Sequence, residues 1–228
     1  MRTQLTVALA MLWAITAASV AHSQLPTLRT APDGPVIIKP TRPGVFVPEI
    51  TTLQVTIQQA ETSVAAFVGA TVAGPMDTPL SVTSFTEYRQ QFGGLHAQSP
   101  VSYAVRLFFD NGGGRAWVVR SDPTALPGGA ANGTGIYALD AADPVNILCI
   151  PEVSTPAVIA AAEQYCEQRR ALLLIDPPEA LTTAAEALTW LSGPDAPPQT
   201  TNCATYFPWL NVPETPGSAT MRQCGPCG

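Results

Sequence analysis

Three short runs of uninterrupted apolar residues constrain this chain more than any other feature: AAFVG from position 65, ILCI from 147 and ALLLI from 171. A strand with one wet face alternates apolar and polar residues, so four or five apolar residues in a row suit a strand covered on both faces. The segments between these runs carry helical spacing. Alternating strand and helix is the pattern of a parallel sheet, because each parallel connection must cross back over a face of that sheet. The fold class expected is therefore α/β, a mostly parallel sheet flanked by helices.

Local signals place the elements. The first run predicts a strand over 65–71, ended by Gly74-Pro75. Ser84 and Glu87 have capping-box spacing, Phe85, Tyr88 and Phe92 follow at helical intervals, and Gly93-Gly94 stop that helix. Ser99 caps a second helix with Pro100 at its first position and Val101, Ala104, Val105 and Phe108 on one face. Three glycines, 112–114, then turn the chain into a strand over 115–121. A glycine-rich phosphate loop runs from a strand into a helix, whose N-terminus faces the anion. This one runs the opposite way, so it reads as a turn.

Downstream, 126–135 (LPGGAANGTG) reads as a flexible loop holding a formal glycosylation sequon at Asn132, and 146–150 as a parallel strand. Thr155-Pro156 open a helix with Val158, Ala161, Ala162 and Tyr165 at core spacing, closed by Arg169-Arg170. A strand over 171–175, a helix over 182–191 and a strand over 203–212 complete the order. Before the core, Arg2, the apolar stretch 5–20 and Ala21-His22-Ser23 have the anatomy of a secretory signal over 1–23. Residues 24–61 read as a proline-rich linker followed by an arm and edge strands, with PGVFVPEI at 43–50 and a half-buried strand at 54–59.

Composition narrows the function. Charged residues make up 12% of the chain, against a usual share of about 25%, so its surface is weakly charged and suited to cover by neighbours. A net charge of −6 without any Lys/Arg cluster argues against nucleic acid as a partner. The 5–20 stretch is short for a membrane span and no second candidate follows, which excludes a multi-pass protein.

Catalytic readings find little support. Outside the leader the only histidine is His96, in a short loop between two helices, and a serine-protease triad needs a histidine held between serine and acid. Asp140 and Asp143 flank the start of a strand and suit turn or cap roles. Asp176 ends a buried strand at the edge where α/β proteins bind ligands, but Pro177-Pro178 also make it a plain strand stop. Of five cysteines, Cys149 and Cys166 read as core thiols. Cys224 and Cys227 form the sequence CGPC, a possible disulfide. With one residue after it no helix can activate the first thiol, so a thiol pKa near that of free cysteine is expected. No His/Cys spacing makes a zinc site, and no cofactor is expected.

Several blocks in fixed order carry a family resemblance: PGVFVPEI at 43–50, AAFVG at 65–69, VTSFTEYRQQFGG at 82–94, FFDNGGGRAWVVR at 108–120, LDAADPVNILCIPE at 139–152 and YCEQRRALLLIDPP at 165–178. Together they resemble the sheath subunits of contractile phage tails and related injection systems. The resemblance implies a subtilisin-like core lacking catalytic residues, hence no enzyme, and an N-terminal arm that adds a strand to a neighbouring subunit. Val45, Phe46, Val47 and Glu49 would be the arm's contact residues, with Arg115 and Arg120 as further inter-subunit contacts. The implied partners are copies of itself, full-length sheath subunits and a tail tube protein. They would assemble in the cytoplasm as stacked rings that contract to drive injection. The resemblance runs from 43 to about 228, the N-terminal part of such a subunit, so the core over 62–228 is expected to be incomplete at its C-terminus. The alternative is an exported thiol/disulfide or metal-binding protein using Cys224 and Cys227.

Overall fold

The computed structural model describes residues 61–228. The expected leader, linker, arm with Val45, Phe46, Val47 and Glu49, and strand over 54–59 lie outside the described residues. The core runs β1 (Ala65–Gly69), β2 (Pro79–Val82), α1 (Phe85–Phe92), α2 (Pro100–Asp110), β3 (Ala116–Arg120), β4 (Ile147–Cys149), α3 (Pro156–Arg169), β5 (Leu172–Ile175), α4 (Ala184–Leu191), β6 (Cys203–Thr205), β7 (Leu210–Pro213) and β8 (Met221–Cys224). Three 3-10 helices, Pro123–Ala125, Ala130–Asn132 and Gly135–Ala141, fill the β3–β4 connection.

Six strands form one sheet in the order β2-β3-β1-β4-β5-β6, and all but β2 run parallel. β1 sits inside the sheet between β3 and β4, which is why its sequence carries no polar alternation. Successive side chains still point to opposite faces. Ala65 and Phe67 meet α1 and α2 through Tyr88, Phe92, Val101 and Val105, with Phe67 edge-on to Phe108 at 5.7 Å between centroids. Ala66 and Val68 face the other layer, where Ile136, Leu139, Ile159, Ala162 and Cys166 pack. Each layer is the crossover that its flanking strands require: α1 and α2 lie between β1 and β3, and α3 between β4 and β5.

The starts of α1 and α2 follow their cap chemistry with one difference. Ser84 accepts from the Glu87 amide at 3.2 Å, but the Glu87 carboxylate accepts from the amide and hydroxyl of Thr83, one residue before the cap. A reciprocal box forms instead at α4, between Thr183 and Glu186. Ser99 both accepts from the Ser102 amide and donates to the Ala70 carbonyl, tying α2 to the end of β1.

Two expectations are corrected. Residues 126–135 are not an open loop: Leu126 and Ile136 are buried, and the Asp77 carboxylate accepts from the Gly135 amide at 2.8 Å. A Cβ on Gly128 would stand 2.2 Å from the Thr134 carbonyl oxygen, so backbone approaches backbone there as only glycine permits. The single strand expected over 203–212 is split. β6 ends at Thr205, where Phe207-Pro208 interrupts the ladder because proline has no N–H to donate. Trp209 then anchors the turn by donating to the Pro177 carbonyl at 2.8 Å. β7 pairs antiparallel with β8 in a second, two-stranded sheet.

Candidate functional site

In open α/β sheets, ligands bind beyond the carboxyl ends of the strands where the strand order reverses. Here β3 lies on one side of β1 and β4 on the other. The opening beyond β1 is filled by the start of α2, with Ser99 and Ser102 buried in it. The next strands end in a cluster of polar groups instead.

Asp176 follows β5 and is 1% exposed. Its carboxylate accepts from the Glu152 amide at 2.8 Å, the Cys227 amide at 2.9 Å and the Cys227 thiol at 3.1 Å. Burial pushes its pKa up, and these hydrogen bonds oppose the rise. Gly225 passes so close that a Cβ there would stand 1.9 Å from Asp176 Oδ2. Glu152, with φ of 63°, turns its amide to Asp176 and its side chain to Arg222. Arg222 donates through Nη2 to both Glu152 oxygens at 3.0 Å, stacks 4.7 Å over the Tyr103 ring, and donates to the Ala97 carbonyl. Burial raises the Glu152 pKa and Arg222 holds it down. The chemistry is that of a clamp: two carboxylates, each supplied with donors, fasten β8 and the last residues to the end of the parallel sheet.

The CGPC cysteines belong to this clamp. Cys224 is buried and its pKa is pushed up to about 11, chiefly by burial. Cys227 is held well above the ordinary thiol value by its hydrogen bond with Cys149, by burial and by the Asp176 charge. The expectation of an ordinary pKa is corrected: both thiols are displaced away from the thiolate that dithiol chemistry needs. All five cysteines are free, and among the described residues no group of three His, Cys, Asp or Glu side chains is placed to hold a metal ion.

The remaining candidates are dispersed. His96 is exposed, its Nδ1 accepting from the Gln98 amide at 3.2 Å within a local turn. Arg115 pairs with Glu61 and lies 5.9 Å from the Trp117 ring. Arg120 donates to the Gly74 carbonyl at 2.9 Å. Asp140 accepts from the Tyr165 hydroxyl at 2.9 Å. In the glycine turn a Cβ on Gly113 would strike the Phe108 ring at 2.3 Å, so the chain there packs on that ring. Sequence reading singled out Asp176 but missed Glu152 and Arg222. Glu152 stood inside a recognised block; nothing in the pattern MRQC marks Arg222.

No helix among the described residues is long and apolar enough to cross a membrane. No protein-family model matches this sequence, and no curated protein matches it. Solved structures do. The contracted helical sheath of the anti-feeding prophage (AFP) matches with a TM-score of 0.55 at 20% identity, covering 83% of this chain and 50% of that one. The contracted sheath complex of PVC, an extracellular contractile injection system, matches with a TM-score of 0.51 at 21% identity, covering 76% of this chain and 45% of that one. A chain of the contracted AFP baseplate matches with a TM-score of 0.50 at 22% identity, covering 80% and 52%. The likeness is one of fold: the core is sheath-like, and the chain spans about half the length of the chains it matches.

Proposed function

We propose that this chain is a structural subunit of a contractile sheath-like assembly, one that stacks in rings around a tube and drives injection by contraction. The observation that carries the reading is the fold shared with the contracted AFP sheath over 83% of the chain. The surface supports it independently. Leu188 is 66% exposed and Tyr206, Met221 and Leu210 are exposed as well, apolar area that suits contact with neighbouring subunits. The clamp at Asp176 is built for fastening, and no step of the proposed function needs a catalytic residue or cofactor. Contraction is the repacking of contacts that have two stable arrangements.

In this reading the arm residues Val45, Phe46, Val47 and Glu49 supply a strand to a neighbour, and Arg115 and Arg120 take part in subunit contacts. β6 is an edge strand of the six-stranded sheet, the kind of open ladder that strand addition uses. Partners are copies of this chain, longer sheath subunits and a tube protein. The test is electron microscopy and sedimentation of the chain alone and mixed with sheath subunits, beside a variant lacking 43–50. Rings or co-assembly lost with the arm support the reading. Particles that stay monomeric and bind no sheath subunit sink it.

A further inference from the structure

The pair that the sequence offers for a disulfide is Cys224 and Cys227, but the fold brings a different thiol to Cys227. Cys149, at the end of β4, donates its Sγ–H to the Cys227 carbonyl at 3.1 Å, and the two side chains pack in one buried cluster. Cys224 lies outside the packed cluster that holds Cys149 and Cys227. Cys227 is fixed by two hydrogen bonds to Asp176, one from its amide and one from its thiol. Both Cys149 and Cys227 line a surface cavity of about 340 Å³, walled by Phe67, Phe108, Ile147 and Leu174. A reagent reaching one thiol through that cavity therefore reaches the other. Its walls are apolar and the charged side chain beside Cys227 is the Asp176 carboxylate, so a small uncharged molecule suits it better than an anion.

From this geometry we infer that Cys149 and Cys227 are a thiol–disulfide exchange site that takes small uncharged disulfides and closes to a bond between the C-terminal segment and β4. In the first step the Cys227 thiol gives up its proton, with the Asp176 carboxylate as acceptor. Its sulfur attacks one sulfur of R–S–S–R, the S–S bond breaks, and one thiolate leaves and takes up a proton. The Cys149 sulfur, deprotonated in turn, attacks the Cys227 sulfur and expels the second thiolate, which is protonated. Two protein thiols are oxidised, one disulfide is reduced to two small thiols, and both protons end on the released thiols. The raised pKa of Cys227 makes the reaction slow at neutral pH and faster in alkali. The link would join residues 78 positions apart, so it restrains the unfolded chain far more than a bond between Cys224 and Cys227.

The test is incubation of the full chain with hydroxyethyl disulfide, followed by non-reducing peptide mapping of wild type and of the Cys224→Ser, Cys149→Ala and Cys149→Val variants. The expected product joins the Cys149 and Cys227 peptides with loss of two hydrogens. It persists in Cys224→Ser, disappears in both Cys149 variants, and raises the melting temperature by about 5–10 °C. Because the wild type alone reports the pairing, a variant that fails to fold does not blunt the test. A Cys224–Cys227 product, or mixed disulfides that never resolve, would overturn the inference.

Discussion

The Asp176 carboxylate binds Cys227 twice, accepting from its amide at 2.9 Å and from its thiol at 3.1 Å. A residue that ends a buried strand thereby holds the last turn of a chain that reaches it only after 51 further positions. The segment from 224 to 228 is consequently part of the core: Cys227 packs with Phe67, Val101 and Cys149, and a Cβ on Gly228 would stand 2.4 Å from the Cα of Ala104.

Replacing Asp176 by Ala leaves the Glu152 amide, the Cys227 amide and the Cys227 thiol without their acceptor. A loss of about 2–4 kcal/mol is expected, since orphaned buried donors keep their desolvation cost. Urea unfolding gives the magnitude. Faster proteolysis near the C-terminus under native conditions shows where the loss falls, and unchanged protection there would contradict the clamp.

The pH dependence of that site has a definite sign. Burial raises Asp176 above its unfolded value, so the folded state holds the proton to higher pH than the unfolded state does. Stability from this group then falls as pH rises from the ordinary carboxylate range, about 4, through the folded pKa, and recovers on acidification over the same window. Wild type should gain stability relative to Asp176→Asn as pH falls from 7 to about 4. Parallel urea midpoints for the two proteins across that range would refute it.

Arg222→Ala should cost about 2–3 kcal/mol, because it strips both Glu152 oxygens of their Nη2 donor and uncovers the Tyr103 ring. Arg222→Lys should recover only part, since an ammonium has no second nitrogen for the Ala97 carbonyl and no plane to stack on Tyr103. A double-mutant cycle with Glu152→Gln measures the coupling; additive losses would show that the pair is incidental.

Gly225→Ala and Gly94→Ala make a matched pair. The first places a methyl 1.9 Å from Asp176 Oδ2, and the second meets nothing within 4 Å. Expected losses are about 1–3 kcal/mol for Gly225→Ala and under about 0.5 kcal/mol for Gly94→Ala, read from thermal or urea denaturation.

Leu188→Glu separates folding from assembly. At 66% exposure the side chain contributes little to the isolated core, so stability should change by less than about 0.5 kcal/mol. If α4 faces a neighbouring subunit, sedimentation should show weaker self-association or weaker binding to sheath subunits.

The uninterrupted apolar runs at 65, 147 and 171, the Ser84 and Ser99 caps and the Pro156 helix start determined by themselves which segments became β1, β4, β5, α1, α2 and α3. Those signals are local: side-chain periodicity, cap geometry and missing N–H groups act within a few residues whatever the chain does elsewhere. The same is true of the glycine turn at 112–114. The clamp was decided by tertiary structure alone. Asp176 looked like a strand stop, Arg222 sat in a segment without pattern, and the CGPC cysteines read as a possible disulfide with each other. Their roles depend on partners 24 to 125 positions away, brought together only when the sheet forms and its far end must be covered. Folding then raised the pKa of both CGPC thiols and gave Cys227 a neighbour, Cys149, that no spacing rule could name.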